Sequence, residues 1–416
     1  MIFDVRNYGA VGDGKTLNTI AIQKAIDDCV SSGGGRVLVS GGIYLIGSIT
    51  IGSGVDLHIT ETAILLGSGN CDDYIERKTD FLKSDLLPRW RNACLIYAEQ
   101  SENIMISGHG VIDCNGKCFV TKATPENRWG GWDYTRIQAP TPPRVVFFAG
   151  CKNISIKDIK MINQPAGWSY WIHDCDFVEF NNVKIHAEVE YPNNDGIHIN
   201  CSRDVEIKNC DITCGDDSII IRANSASLKE NKTCERVKVN NCRLTSYSAG
   251  IRFGWARDGV IRNCEISDIE MFDCSTGIDF TIPDYERDPE RKKLYTADLG
   301  CEKVHIENIS IYNVIIHEVY GHPVRIHAVP SAKIDVIKDI TFDNIKSKSY
   351  QHIKMEGLAD NPIKNVVFNN CNFEIVNQTD FGGREYHGSV KLEETNLPII
   401  KNIEGLVFNN TAFTIV

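Results

Sequence analysis

The chain has 416 residues, 42% hydrophobic and 24% charged, with 33 Gly and 13 Pro. That composition excludes disorder, collagen and coiled coil, and no stretch approaches the roughly 18 apolar residues of a membrane-spanning helix. The 44 basic residues against 55 acidic leave a net charge of −11. Such a balance argues against nucleic acid or an anionic membrane as partner, and less strongly against an anionic ligand, because a few local Arg or Lys reverse the field inside one cleft.

The N-terminal residues MIFDVRNYGAVGDGK enter fold-like sequence at once, without the basic, apolar and small-residue succession of a leader. The expectation is a cytoplasmic protein, or a secreted one whose leader has been removed. Gly9 to Thr16 formally matches the phosphate-binding pattern GxxxxGK[ST], but the chain beyond it shows no alternation of strands and helices. A glycine-rich turn into a helix is the expected structure. Leu17, Ile20, Ala21, Ala25, Ile26 and Cys29 recur at helical spacing, and Gly33-Gly34-Gly35 ends that helix. Residues 1–50 therefore read as a strand-helix-strand cap, continuous with the repeats of residues 51–416.

From about residue 100 one phrase keeps returning, as in ENIMISGHGVID, KNISIKDIKMIN, DFVEFNNVKIHA, RDVEIKNCDITC and ERVKVNNCRLTS. Each is a short alternating strand, a corner of Asn, Asp or Gly, and a second alternating strand. Cys151 to Cys175 is 24 residues and Cys175 to Cys201 is 26. Strands this short cannot each bury a face alone, so the repeats must stack. The corner residues Asn153, Asn181, Asn182, Asn209, Asn241, Asn263, Asn308, Asn344, Asn369 and Asn370 suit left-handed turns whose side chains bond along the stack. The fold predicted for residues 51–416 is an all-β, right-handed parallel β-helix. Its open first end would be covered by the helix of residues 1–50. Insertions near 71–93, 115–143 and 283–300 interrupt the coils, and loops of that length are usually functional.

Most of the sixteen cysteines, among them Cys151, Cys175, Cys201, Cys234 and Cys301, open the repeating strands and read as buried free thiols. The pairs Cys114/Cys118 and Cys210/Cys214 have poor zinc spacing, and so does His317-Glu318 with His322. No metal and no cofactor is expected.

The informative segment is NNDGIHINCSRDVEIKNCDITCGDDSIIIR, residues 193–222. Asp195 lies 21 and 22 residues before Asp216 and Asp217, about one coil. One coil of a parallel β-helix rises by roughly 4.8 Å, so Asp195 should sit beside the Asp pair. Crowded carboxylates repel, which keeps at least one protonated near neutrality. A protonated acid beside an ionised base is what cleavage of a glycosidic bond requires.

At these motifs the chain resembles glycoside hydrolase family 28, the polygalacturonases and related pectin hydrolases. The resemblance runs through NYGAVGDGKTLNTIAIQKAI, GHGVIDCNG and INQPAGWSYWIHDCDFVEFNNVKI to NNDGIHI and CGDDSIII, which correspond to the family's N-T-D and G-D-D motifs. It implies Asp216 as general acid, with Asp195 and Asp217 holding and deprotonating the attacking water, and inversion at the anomeric carbon. Asn193 matches the first motif position and would orient that site.

Two motifs depart from the family. Its G-H-G falls at residues 248–254, where Ala249 stands for the His, and its R-I-K falls at residues 277–281, where Asp279 and Thr281 stand for Arg and Lys. An Asp facing a substrate carboxylate would repel it, so Arg222, Arg252 or Arg325 is expected to supply a replacement charge. Trp129, Trp132, Trp168 and Trp171 are candidate sugar-stacking faces, the last two equally candidates for packing. The expected activity is hydrolysis of pectic or related uronic-acid-containing oligo- or polysaccharides. The insertions favour attack from a chain end, and the protein would be a monomer or homodimer. The rivals are a polysaccharide lyase on the same fold and a non-catalytic carbohydrate-binding β-helix.

Overall fold

The computed structural model describes residues 1–87, 91–127, 132–283, 303–376 and 397–416. Parallel strands stack in successive coils. The coil after residue 143 shows the rule: Arg144 pairs with Trp168, Lys152 with Asp176 and Lys160 with Lys184, an offset of 24 residues on all three faces. One face is an eleven-stranded parallel sheet from Ile49–Thr50 to Ile399–Lys401, and the site lies on it. From Cys234–Ser246 to Ile334–Ser349 the other two faces are carried by single long strands, including Val260–Phe272 and Val304–Val319, and they separate again at Ile363–Asn369 and Asn372–Ile375.

Alternation decides what is inside. Ile156, Phe180, Ile207, Val239, Ile266, Ile311, Phe342 and Phe368 are register partners on successive coils, and every one is buried. Like stacks on like, as in the Phe253–Phe280 and Phe342–Phe368 pairs at 4.6 and 4.7 Å. Eight of the ten corner Asn have the expected left-handed backbone, while Asn181 and Asn369 are the last residues of strands. Asn182, Asn209, Asn241, Asn263, Asn308 and Asn344 all have φ near +50° to +56°, a region open to Asn at low cost. Their amides bond from coil to coil, Asn241 to Asn209 at 2.7 Å and Asn209 to Asn181 at 2.8 Å.

The helix spans Thr19–Ser31 and packs on strands Ile2–Asp4, Gly35–Val39 and Ile49–Thr50. Its buried face is Ile22, Ala25, Ile26 and Cys29. Ile20 is 74% exposed, and Leu17 ends the strand Asp13–Leu17 instead of joining the helix. The reason is Asn18, whose side chain bonds both backbone groups of Val11 and the carbonyl of Thr16, holding the chain extended until Thr19. In the glycine-rich turn the Asp13 carboxylate accepts from Lys15 N, Thr16 N and Thr16 Oγ1, each at 2.8 Å, so the amides that would face an anion are already occupied.

Among the described residues all fifteen cysteines are free, and no helix is long and apolar enough to cross a membrane. Cys301, Trp129 and residues 284–300 of the third insertion lie outside the described residues.

Candidate active site

Asp195 and the Asp216–Asp217 pair lie on consecutive coils, just before the strands Ile197–Asn200 and Ile219–Arg222. The Gly196 amide bonds the Asp217 carbonyl at 3.0 Å, which sets the two loops side by side. The neighbouring glycines are required by this closeness. A Cβ on Gly196 would lie 2.3 Å from the Ser218 oxygen, and one on Gly215 would lie 2.4 Å from the Val189 oxygen. Ser246 Oγ and Cys214 Sγ both donate to the Asp216 carbonyl, at 2.6 and 2.9 Å, and fix the loop from beneath.

The two adjacent carboxyls have different surroundings. Asp216 accepts from the Asp217 amide at 2.9 Å and from Asn193 Nδ2 at 3.0 Å. Burial first, and the charge of Asp217 second, lift its pKa to about 7. Asp217 accepts from Ser248 Oγ at 2.6 Å, from the Ala249 amide at 2.9 Å and from Arg252 Nε. Arg252 also reaches Asp279, Nη2 to Oδ2 at 2.9 Å. Asp279 in turn accepts both Nε and Nη2 of Arg325, at 3.0 and 2.7 Å. Burial opposes ionisation of Asp279, but Arg252 and Arg325 outweigh it and hold the carboxyl well below the usual range.

Asp279 is fully buried. Its charge is spent on two guanidinium groups, and the repulsion expected from an Asp at this position does not arise. Arg222 is bonded through Nε and Nη2 to the buried Asp258 at 2.6 and 2.7 Å, away from the pair. Arg325 retains the most exposed side chain of the three arginines, 16% against 14% for Arg222 and 8% for Arg252.

One outward row on the site-bearing sheet reads Tyr97, Phe147, Trp171, His198, Ile220, Arg252, Asp279, Arg325, Lys354 in register order. It changes from aromatic to charged at the loops of Asp195 and of Asp216–Asp217. The aromatic half is covered: Leu82 and Leu87 of the 71–93 insertion are buried against Tyr97, Phe147 and Trp171, with Phe81 and Trp168 beside them. The Lys83 amide ties this insertion to the Ser227 carbonyl at 2.8 Å. The outward face is thus covered on the N-terminal side of Asp195.

Several contacts around this site were not foreseen. Arg136, on a short hairpin of the 115–143 insertion, donates to Asn193 Oδ1, and Asn193 passes the contact to Asp216. Trp132 is buried and donates Nε1 to the Gly215 carbonyl at 2.8 Å, so it supports the Asp loop and does not face a sugar. Trp171 is buried between Phe147 and His173, and Trp168 lies 4.3 Å from the His198 ring. His198 Nδ1 is 3.9 Å from Asp195 Oδ2, and burial pushes its pKa far down, leaving the ring neutral. Arg144 is buried with its guanidinium 4.3 Å from the Trp171 ring. Apart from Asp195–His198 and Trp171–His173, these contacts are not local in sequence, and only the lengths of the insertions hinted at them.

The family model for glycosyl hydrolases family 28 matches residues 87–383. The chain belongs to this family. All of Asn193, Asp195, Asp216, Asp217, Arg252, Asp279 and Arg325 fall inside the matched span. Family 28 relatives include a probable polygalacturonase of Vitis vinifera, 25% identical over 281 residues, covering 65% of this chain and 55% of that protein. An exo-poly-alpha-D-galacturonosidase of Dickeya chrysanthemi is 28% identical over 257 residues, covering 52% and 41%. The chain spans about half the length of these curated relatives. Among solved structures, the exopolygalacturonase of Thermotoga maritima superposes with a TM-score of 0.71 at 18% identity, over 98% of this chain and 92% of that one, which shows the shared fold.

Proposed function

We propose that this family 28 chain hydrolyses galacturonan-type pectic chains from one end, with inversion at the anomeric carbon. The observation that carries the reading is Asp216, a buried carboxyl with a pKa of about 7 beside Asp217 and one coil from Asp195. Protonated Asp216 donates to the leaving glycosidic oxygen, while Asp195 and Asp217 accept the proton of the attacking water. Arg325 and Lys354 continue the same row beyond Asp279 and offer positive charge to uronate groups on that side. Attack from a chain end is supported by the packing of Leu82 and Leu87 on the aromatic half of the row. The names of the Dickeya and Thermotoga relatives point the same way. The free thiols support a reducing compartment as its place of work.

The lyase alternative needs an acidic cluster open to a cation. Asp217 and Asp279 instead accept from Arg252 and Arg325.

The test is to incubate wild type and Asp216→Asn with oligogalacturonates of increasing length, tracking reducing ends, ultraviolet absorbance and the anomeric proton signals of the first product. The reading requires release of monomer without absorbance, an anomer opposite to the bond cleaved, and loss of activity in the variant. Absorbance of an unsaturated uronate would make the enzyme a lyase. Mixed longer products would remove the chain-end assignment, and binding without turnover would make it a carbohydrate-binding protein.

A further inference from the structure

Asp216 and Asp217 are adjacent and both buried, so what distinguishes them is what each one faces. Asp216 receives two neutral amide donors, Asp217 N and Asn193 Nδ2. Asp217 receives a hydroxyl, a backbone amide and a guanidinium. The guanidinium is not a substrate hand. Its side chain is 8% exposed, it lies 5.0 Å from the Trp255 ring, and its other end is fixed to Asp279. Asp217, Arg252, Asp279 and Arg325 therefore form an alternating ladder of charges on four successive coils, neutral as a set.

We propose that Arg252 is a positioning residue that acts through Asp217: it keeps that carboxylate ionised and aimed, and so assigns the shared proton of the pair to Asp216. Asp279 and Arg325 are the anchor that fixes Arg252 from behind. Other groups also face the pair: Asp195 from the preceding coil with His198 beside it, the Cys214 thiol from the same coil, and Arg136 through Asn193. Of these only Arg136 is a cation, and it reaches Asp216 through a neutral amide. Among the described residues Arg252 is thus the direct cationic contact of the pair. Its charge opposes the rise in the pKa of Asp216 from a distance, while its Nε touches Asp217 directly.

The proposal rests on the hydrolase reading for its kinetic readout, and a titration readout stands apart from it. Protein labelled with ¹³C at the aspartate carboxyls is titrated by NMR as wild type, Arg252→Gln and Arg252→Lys, with Asp216→Asn and Asp217→Asn identifying the two signals. In wild type, Asp216 titrates near 7. In Arg252→Gln the Asp217 midpoint rises by about 1–3 pH units, the separation between the two narrows, and Arg252→Lys restores most of it. The acidic limb of the kcat/KM profile moves up with Asp217, kcat falls about tenfold or more, and KM stays within about twofold.

Unchanged Asp217 titration in Arg252→Gln overturns the proposal. So does a tenfold rise in KM at unaltered kcat, which would make Arg252 a substrate contact. Arg252→Met, of similar length and without charge, takes the place of the Gln variant if that one does not fold. A wild-type enzyme silent on every galacturonan would refute the hydrolase reading and leave the titration result to decide the role of Arg252.

Discussion

Asp216 is packed among Asn193, Asp217 and the Ser246 hydroxyl, and its pKa stands near 7 against 3.8 for an ordinary Asp. A group whose folded pKa is raised contributes fully to stability below the unfolded value and loses that contribution as pH rises through the folded one. For Asp216 the window runs from about pH 4 to about pH 7, and above it a buried charge weighs on the fold. Asp216→Asn removes that charge. It is expected to lower kcat by about 10²–10⁴ and yet to raise stability at pH 8 by on the order of 1–3 kcal/mol, with no gain at pH 4. Thermal midpoints of the two proteins at both pH values check this, and a variant no more stable at pH 8 would contradict the buried-acid assignment. The same group predicts that activity falls as pH rises through about 7, because the leaving oxygen then finds no proton.

Among the elements, the insertion over residues 71–93 shapes the groove. Besides Leu82, Leu87 and the Lys83 amide, it is held by the Asp73 carbonyl on Ser48 N, the Ile75 amide on Ser48 Oγ, Thr79 Oγ1 on Glu99, and Arg77 on Thr50 Oγ1 and the Ile49 carbonyl. Replacing Leu82 and Leu87 together by Ser removes about 2–4 kcal/mol of apolar packing per residue from that dock. The expected outcome is a groove open past Asp195 and a shift from monomer alone to a mixture of longer products, read by chromatography of a galacturonan digest. Continued release of monomer alone, with hydrogen exchange showing the insertion undocked, would mean that another element closes the groove. This closure was not legible in sequence, since nothing near Leu82 names Tyr97, Phe147 or Trp171 as its partners. The coils were legible because their demands are local: a period near 25 residues, alternation within strands, and Asn where the backbone turns left-handed. Asp195 and the Asp pair were legible for the same reason, one period apart. Asp279 was misread because its partners, Arg252 and Arg325, come from the coils on either side, and the insertion between Asp279 and Arg325 breaks the period that would have paired them.

At the scale of the whole molecule, each coil is stabilised mainly by its two neighbours, so stability is set by position along the stack as much as by composition. The two ends differ. At the first end the helix Thr19–Ser31 buries Ile22, Ala25, Ile26 and Cys29 against the opening strands. At the other, in the last described coil, Leu397, Ile400, Val407, Phe408, Ile415 and Val416 remain exposed. The strands Val407–Asn409 and Ala412–Ile415 each pair on one side, with Ile363–Asn369 and Asn372–Ile375. Among the described residues this coil has a single neighbour, so it gains one interface term instead of two, and opening it exposes little that was not already wet. Amide hydrogen exchange is therefore expected to be fastest at residues 399–415. It should slow through Ile363–Asn369 and be slowest in the coils from Trp168–His173 to Ala249–Phe253, where the aspartates are held. The amides of Gly35–Val39, beneath the helix, should exchange nearer to that central rate than to the rate of the last coil. Equal protection of 399–415 and the centre would mean that the stack opens as one unit. The candidate site would then gain nothing from lying several coils away from the last described coil.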